Sequence, residues 1–159
     1  MNIHKTTALI VSCLCILFFV TPASAQISVE TIGAVRLINI DKGEQYGAGA
    51  VIGYDLNKYV KGFVRVIGYE TDNWGGTAID EGSLGVEAQL LRSANGKFSL
   101  SAIGSVNRNF EYSKLGLSGG GKVSAVVYKS LYAFGQGEFR FWDGIDKDAL
   151  ITFGLGLHF

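Results

Sequence analysis

The sequence predicts an all-β protein, an eight-stranded antiparallel up-and-down transmembrane β-barrel, and three observations support this prediction. Apolar residues alternate with small or polar residues in eight segments, each of about ten residues, the length of a membrane-spanning strand. All 22 glycines, but neither cysteine nor the one proline, lie after residue 25, so the sheet ladders keep nearly every backbone N–H donor. Short turns alternate with longer polar connections, as in barrels that cross a membrane.

The N-terminal segment, residues 1–25, is predicted to be a cleaved secretory signal peptide. An apolar run that ends at Val20 is followed by Ala23 and Ala25, which match the A-x-A pattern of a cleavage site. The run is too short to span a bilayer comfortably as a helix. An alternative is a lipoprotein signal around Cys13, although the apolar run continues past that cysteine.

The composition of the remaining domain, residues 26–159, excludes several classes of function. The whole chain has a formal net charge of zero, which provides no basic stripe for nucleic acid. Because the domain has no cysteine, it forms neither a disulfide scaffold nor a thiolate metal site. We therefore predict one domain with no cofactor, no metal and no nucleic-acid partner.

The eight strands are predicted in chain order from their alternating apolar residues. The apolar sets of the first four are Ile27, Val29, Val35 and Leu37; Tyr46, Ala48, Ala50, Ile52 and Tyr54; Val60, Val64 and Val66; and Leu84, Val86, Ala88 and Leu90. Those of the last four are Phe98, Leu100, Ala102 and Val106; Leu115, Leu117, Val123, Ala125 and Val127; Leu131, Ala133, Phe139 and Phe141; and Ile151, Phe153, Leu155, Leu157 and Phe159. The first strand is predicted to extend from Ile27 to Ile40. Since alternate side chains of a strand point to opposite faces, each set marks one face of the sheet.

The connections between these strands alternate in length. The short turns are residues 55–58, 93–96 and 129–130, and Asn95-Gly96 is typical of a tight hairpin. The other connections, mostly longer and polar, are residues 41–45, 70–82, 108–114 and 143–148. Since outer-membrane barrels have short periplasmic turns and longer extracellular loops, we expect both termini of the barrel in the periplasm.

The apolar face is predicted to point outward, into lipid. The opposite face consists mostly of Gly, Ser and Gln with a few charges, unlike the charged surface of a soluble sheet. Tyr46 and Tyr54 end one apolar set and are eight residues apart, about 19 Å in a tilted strand, near the separation of two aromatic girdles. The alternative is a soluble exported barrel with the apolar face turned inward.

The end of the chain carries a family resemblance. Phe153, Leu155, Leu157 and Phe159 alternate with small or polar residues, and this ending resembles the C-terminal assembly signal of bacterial outer-membrane barrels. The whole domain resembles small barrels such as the OmpX/Ail group and the OmpA membrane domain. The resemblance implies insertion by the barrel-insertion machinery and contact with outer-membrane lipid and lipopolysaccharide.

With the apolar face outward, charged side chains are predicted to form a polar network in the lumen. The members of this network are Glu30, Arg36, Lys61, Arg65, Glu87, Lys122, Glu138 and Arg140. They have an excess of positive charge, which would need water or a position at the rim. The aromatic and aliphatic residues expected inside are Phe63, Ile67, Phe134, Tyr59, Tyr128 and Tyr132. We predict a closed structural core, and the alternative is a narrow gated pore.

The longer connections are predicted to be acidic and the short turns basic. The acidic residues assigned to the outer connections are Asp41, Glu44, Glu70, Asp72, Asp80, Glu81, Glu111, Asp143, Asp146 and Asp148. The basic turn residues are Lys58, Arg92, Lys97 and Lys129, against Asp55. Trp74, on the longest connection, is a candidate contact residue for an extracellular partner.

Catalysis is not predicted. The only histidine after residue 25 is His158, and no serine is placed beside it on the lipid-facing surface, where barrels that deacylate lipopolysaccharide hold their His/Ser pair. We predict a structural or surface-interaction protein that acts in adhesion or envelope integrity through connections 70–82 and 143–148. A narrow pore and a lipopolysaccharide-modifying enzyme are the alternatives.

Overall fold

The computed structural model describes residues 26–38, 44–70, 79–144 and 147–159 of the chain. In this part of the chain the strands are β1 (Ile27–Ile38), β2 (Glu44–Asp55), β3 (Val60–Tyr69), β4 (Glu81–Arg92), β5 (Phe98–Asn109), β6 (Lys114–Tyr128), β7 (Leu131–Trp142) and β8 (Lys147–His158). Each strand pairs antiparallel with the next, and β1 pairs with β8, so the sheet closes into an up-and-down barrel. The predicted fold class is confirmed. No helix of these residues is long and apolar enough to cross a membrane.

Side chains alternate between the interior and the outer face of the barrel. In β8, for example, Phe153 is 56% exposed whereas Thr152 is 1% exposed. Exposed apolar side chains occur on every strand and include Val29, Ile52, Val64, Leu84, Leu100, Leu117, Phe139 and Leu155. The apolar face therefore points outward, as predicted, and the alternative with this face turned inward is wrong.

Two irregularities and one turn depart from the predicted alternation. The register of β4 shifts between Gln89 and Leu91, so Leu91 is exposed on the outer face. A second shift between Val126 and Tyr128 leaves Tyr128 exposed, contrary to its expected inward position, because a bulge changes which face the following residues occupy. Tyr59 is exposed too, since it lies in the turn before β3, where strand alternation does not apply. The predicted extension of the first strand to residue 40 lies outside the described residues.

The short turns are held by local side-chain hydrogen bonds. Asn57 Oδ1 accepts hydrogen bonds from the backbone N–H groups of Tyr59, at 2.8 Å, and Val60, at 3.0 Å. Asn95 Oδ1 accepts one from the Lys97 N–H at 3.0 Å, and Gly96 has a φ of 68°, which favours glycine. We call the barrel end that holds these turns, Gln26 and Phe159 the turn mouth, and the opposite end the loop mouth.

The buried apolar core lies inside the barrel, between charged residues. In β1, Ile32 and Ala34 separate Glu30 from Arg36, and all but Arg36 are less than 6% exposed. Phe63, Ile67 and Phe134 are also buried, as predicted. The apolar core thus lies between the charged residues of the two ends, and the buried Arg65 is interleaved with it on β3.

Candidate functional site: the charged lumen

The eight charged residues of the predicted network all lie on the inward face of their strands. Five of their side chains are almost completely buried: Glu30, Arg65, Lys122, Glu138 and Arg140. The side chains of Arg36, Lys61 and Glu87 are 12–13% exposed. Each of the eight forms at least one ion pair.

At the loop mouth, ion pairs and hydrogen bonds centre on Arg140. Its Nη1 donates to both oxygens of Glu81, at 2.6 and 2.7 Å. Its Nε and Nη2 donate to the two oxygens of Asp148, at 2.5 and 3.0 Å. Arg36 Nε donates to Asp148 Oδ2 at 2.7 Å, and Trp142 Nε1 donates to the same oxygen at 2.9 Å. We call these five residues, with Tyr69, the loop-mouth cluster.

Glu81 and Asp148 correct the sequence prediction. Both were expected among the acidic residues of the outer connections, yet Glu81 is fully buried and Asp148 nearly so. Glu81 begins β4 on the inward face that Glu87 shares, and Asp148 shares its face with Thr152. Extending the strand alternation to these positions would have found them. The connections are correspondingly less acidic than the sequence suggested.

The two extra carboxylates remove the predicted excess of positive charge. The cations of the described lumen are Arg36, Lys61, Arg65, Lys122 and Arg140, and the carboxylates paired with them are Glu30, Glu81, Glu87, Glu138 and Asp148. Buried charges persist when they are paired and hydrogen-bonded. The ten charges of this paired network are therefore balanced, without the excess of positive charge that the sequence predicts.

Near the middle of the barrel, Arg65 pairs with Glu138. Ser118 Oγ donates to Glu138 Oε2 at 2.6 Å, and Arg65 Nη2 donates to Ser83 Oγ at 3.3 Å. Phe63 and Ile67, the inward neighbours of Arg65 on β3, are buried. A cavity beside this pair has a volume of only about 10 Å³, room for about one water molecule. The middle of the lumen is closed.

At the turn mouth, two lysines and two glutamates form a looser group, which we call the lysine quartet. Lys122 Nζ lies 2.5 Å from Glu30 Oε1 and 3.2 Å from Glu87 Oε2. Lys61 Nζ lies 3.9 and 3.8 Å from the same oxygens. Tyr132 donates its hydroxyl proton to Glu30 Oε1 at 2.6 Å.

Beyond the lysine quartet, the lumen widens into a cavity of about 690 Å³ that opens at the turn mouth. We call this cavity the vestibule. Its walls include Tyr132, His158 and several serines, and its rim carries the basic turn residues. Sequence reasoning did not predict this cavity, because strand alternation gives the face of a side chain but not the space between opposite walls.

The remaining predicted positions are placed as follows. Phe153, Leu155, Leu157 and Phe159 are exposed on the outer face of β8 and at its end. Trp74 lies outside the described residues. His158 stacks on Tyr132 with a centroid distance of 4.7 Å.

No described group has the geometry of a catalytic or metal centre. Ser28 lies opposite His158 in the β1–β8 register, but neither Ser28 Oγ nor His158 Nδ1 has a hydrogen-bond partner. A serine nucleophile needs a base within hydrogen-bond reach. Among the described residues, no three His, Cys, Asp or Glu side chains converge in a way that could hold a metal ion.

Comparison with known proteins identifies the fold. No family model matches the sequence, and the search of curated proteins found no relative. Neisserial surface protein A, NspA, matches with a TM-score of 0.57 at 14% identity, covering 85% of this chain and 97% of that one. Ail, the attachment invasion locus protein of Yersinia pestis, matches with a TM-score of 0.50 at 14% identity over the same shares. The designed protein TMB2.3 matches with a TM-score of 0.50 at 13% identity, covering 86% and 97%. The chain therefore shares the eight-stranded barrel fold of the outer-membrane proteins NspA and Ail.

Proposed function

We propose that this protein is a bacterial outer-membrane barrel that holds its long connections at the cell surface, where they contact a partner in adhesion or envelope integrity. The observation that carries the proposal is an apolar outer face around a charge-paired, closed lumen. Such a barrel is stable in lipid. Because the middle of the lumen is closed, contact with other molecules falls to the two ends of the barrel.

The proposed orientation places the turn mouth in the periplasm and the loop mouth outside. Exposed aromatic side chains support a membrane position at both ends: Tyr46 and Phe141 near the loop mouth, and Phe98, Tyr128 and Phe159 near the turn mouth. Aromatic girdles at the two interfaces are typical of membrane barrels. The short turns at the end that holds the termini favour the periplasm for that end.

Two outward-facing cations support contact with lipopolysaccharide. Arg108 is exposed on the outer face of β5, and Lys147 is exposed at the start of β8. Both lie near the loop mouth, where the phosphates of lipopolysaccharide would meet the barrel in the proposed orientation. Charged groups at this depth are tolerated far better than at the midplane.

The exposed residues at the end of β8 fit the proposed contact with the insertion machinery. Phe153, Leu155 and Leu157 form one apolar row that Phe159 completes at the turn mouth. Because this row faces outward, the insertion machinery can contact it both before β8 pairs with its neighbours and in the closed barrel. We propose that these residues act as the assembly signal.

Surface contact is assigned to connections 70–82 and 143–148, with Trp74 as the candidate contact residue. The first residue of each connection is acidic and exposed, Glu70 in one and Asp143 in the other. The names of NspA, a surface protein, and Ail, an attachment and invasion protein, support a surface role for this chain.

The orientation is tested with an epitope tag. A tag inserted after Trp74 should bind antibody on intact cells, whereas the same tag inserted between Asn95 and Gly96 should bind only after the outer membrane is permeabilised. Heat-modifiable gel migration checks that both tagged barrels fold. Staining of the Asn95 tag on intact cells would overturn the orientation.

The surface role is tested by replacing residues 71–78 with a short Gly-Ser linker. Binding of expressing cells to host-cell or matrix surfaces should fall to the level of cells without the protein, while heat-modifiable migration is retained. A matched control replaces Ser93–Asn95, at the turn mouth, and should leave binding unchanged. Unchanged binding after the first replacement would contradict the proposal.

A narrow pore is the second candidate, because the vestibule opens the turn-mouth end of the lumen to solvent. It requires the Arg65–Glu138 pair and the loop-mouth cluster to separate. Purified protein in a planar bilayer should show no single-channel openings if the barrel is closed. Steady openings would favour the pore.

We also propose that the protein is not an enzyme, and this is open to direct assay. The orphaned His158 Nδ1 and Ser28 Oγ support the absence of a His/Ser pair. Purified protein incubated with lipopolysaccharide should release no fatty acid. Release that is abolished by His158→Asn would contradict the proposal.

A further inference from the structure

We propose that the vestibule at the turn mouth binds a small anion that carries phosphate groups. The vestibule, about 690 Å³, is within the usual size range of ligand sites. The lysine quartet closes its inner end, so a ligand that enters would be held there and could not pass through. This site is separate from the surface contacts proposed above and does not depend on them.

The charge of the vestibule favours an anion. Lys58, Arg92, Lys97 and Lys129 line its rim, and the carboxylate at the same level is that of Asp55. The inner wall holds Lys61, Lys122 and Glu87, whose charges are engaged in the lysine quartet. A cation would therefore find little unpaired negative charge in the vestibule, whereas an anion would find several unpaired cations.

Two of the rim cations are especially available. Within the described chain, no carboxylate lies at ion-pair distance from Arg92 or Lys97, and both side chains are exposed. Lys58 and Lys129 lie over the rings of Tyr59 and Tyr128, at 4.6 and 5.2 Å. A cation over an aromatic ring keeps its N–H groups free on the other side for an anion.

The uncharged wall supplies neutral hydrogen-bond donors. Ser99, Ser101, Ser124 and Ser130 line the cavity, and Ser99 and Ser124 share a hydrogen bond of 2.6 Å across β5 and β6. Phosphate has several acceptor oxygens, so it suits a mixture of ammonium, guanidinium and hydroxyl donors.

His158 provides a site-specific probe, because it is the only histidine after residue 25 and it lines the vestibule. The mature barrel is refolded in maltoside micelles, which contain no phosphate, and the imidazole resonances are recorded by NMR. Inorganic pyrophosphate is titrated against sodium chloride of matched ionic strength. We expect a saturable shift with pyrophosphate and none with chloride alone.

The variant pair Arg92→Gln/Lys97→Gln should weaken pyrophosphate binding about tenfold, since it removes two exposed charge contacts with the anion. Lys114→Gln, at the loop-mouth end of β6, is the matched control and should leave the affinity unchanged. Heat-modifiable migration verifies folding, and the single variants Arg92→Gln and Lys97→Gln are used if the pair fails to fold. An equal affinity in the rim variants and the wild type would overturn the proposal.

The source of the phosphate is distinguished by a second titration, with bicelles of phosphatidylcholine alone or with added phosphatidylglycerol. A shift with pyrophosphate but not with phosphatidylglycerol supports a free phosphate ligand, and a shift that requires phosphatidylglycerol supports a lipid headgroup. A non-saturable response to pyrophosphate together with no response to phosphatidylglycerol would overturn the site.

Discussion

The two ends of the lumen contain similar charges but differ in packing. At the loop mouth, Arg140 contacts Glu81 and Asp148 through four hydrogen bonds, and its side chain is fully buried. At the turn mouth, Lys61 and Lys122 face the same two glutamates beside a cavity of about 690 Å³. A planar guanidinium can connect two carboxylates rigidly, whereas an ammonium is a compact charge on a flexible stem. The arginine end is therefore packed up to its mouth, whereas the lysine quartet lies behind an open vestibule.

The largest loss of stability is expected when Arg140 is removed. Arg140→Ala leaves Glu81 and Asp148 buried, and among the described cations Arg36 then pairs with Asp148 and none with Glu81. Breaking a buried ion pair from one side costs about 3–5 kcal/mol. Urea unfolding in lipid vesicles, followed by tryptophan fluorescence or heat-modifiable migration, measures the loss of stability. A loss below that of a surface substitution would mean that the loop-mouth cluster is hydrated.

The next largest loss of stability tests which face of the sheet points into the membrane. Val64 is 53% exposed on the outer face of β3, between two buried inward residues, Phe63 and Arg65. Val64→Arg should reduce the free energy of unfolding by about 2–4 kcal/mol, the cost of an arginine near the bilayer midplane. Ser101 lies on the vestibule wall beside Lys122 and Glu87. Ser101→Arg should reduce the free energy of unfolding by less, because the new side chain can extend into the cavity and lie near the Glu87 carboxylate. Equal losses for the two variants would contradict the membrane assignment of the outer face.

Individual residues show which features of the two ends can be predicted from the sequence. Alternation within strands placed Arg36, Arg65 and Lys122 in the lumen, and that prediction needs only local geometry. The pairing of Glu81 in β4 with Arg140 in β7 depends on barrel closure, which brings the two strands to opposite walls at one height. Alternation within one strand does not give the position of a residue along the barrel axis relative to residues of other strands, so it does not predict this ion pair.

The residues that the sequence prediction misplaces have local causes. Asp148 was assigned to a loop because the apolar set of β8 begins three residues later, at Ile151. Alternation predicts Tyr128 in the interior because the apolar pattern does not reveal the bulge after Val126. Cavity volume is also a property of opposite walls, so the vestibule could not be predicted from any single strand.

A smaller effect tests the packed region between the two ends. Gly154, in β8, lies so close to β1 that an added Cβ would overlap the backbone carbonyl of Thr31. Gly154→Ala should therefore destabilise the barrel by about 1–3 kcal/mol, the usual cost of overpacking. Gly137→Ala is the matched control, since a Cβ there meets no atom within 4 Å, and its stability should change by less than about 0.5 kcal/mol. Similar losses for both glycines would show that flexibility, and not space, accounts for the effect.

The smallest effect on stability is expected for Lys61→Ala, and it tests which end keeps the lumen closed. The Lys61 side chain lies 3.8–3.9 Å from its partners and lines the open vestibule, so its removal should cost about 1 kcal/mol. Lys122 continues to pair with both glutamates at 2.5 and 3.2 Å, and the one excess negative charge that results faces the vestibule. The vestibule should enlarge, yet planar bilayers should still record no openings, because the Arg65–Glu138 pair and the loop-mouth cluster remain intact. Openings in Lys61→Ala but not in Arg140→Ala would move the barrier to the lysine quartet and reverse the comparison between the two ends.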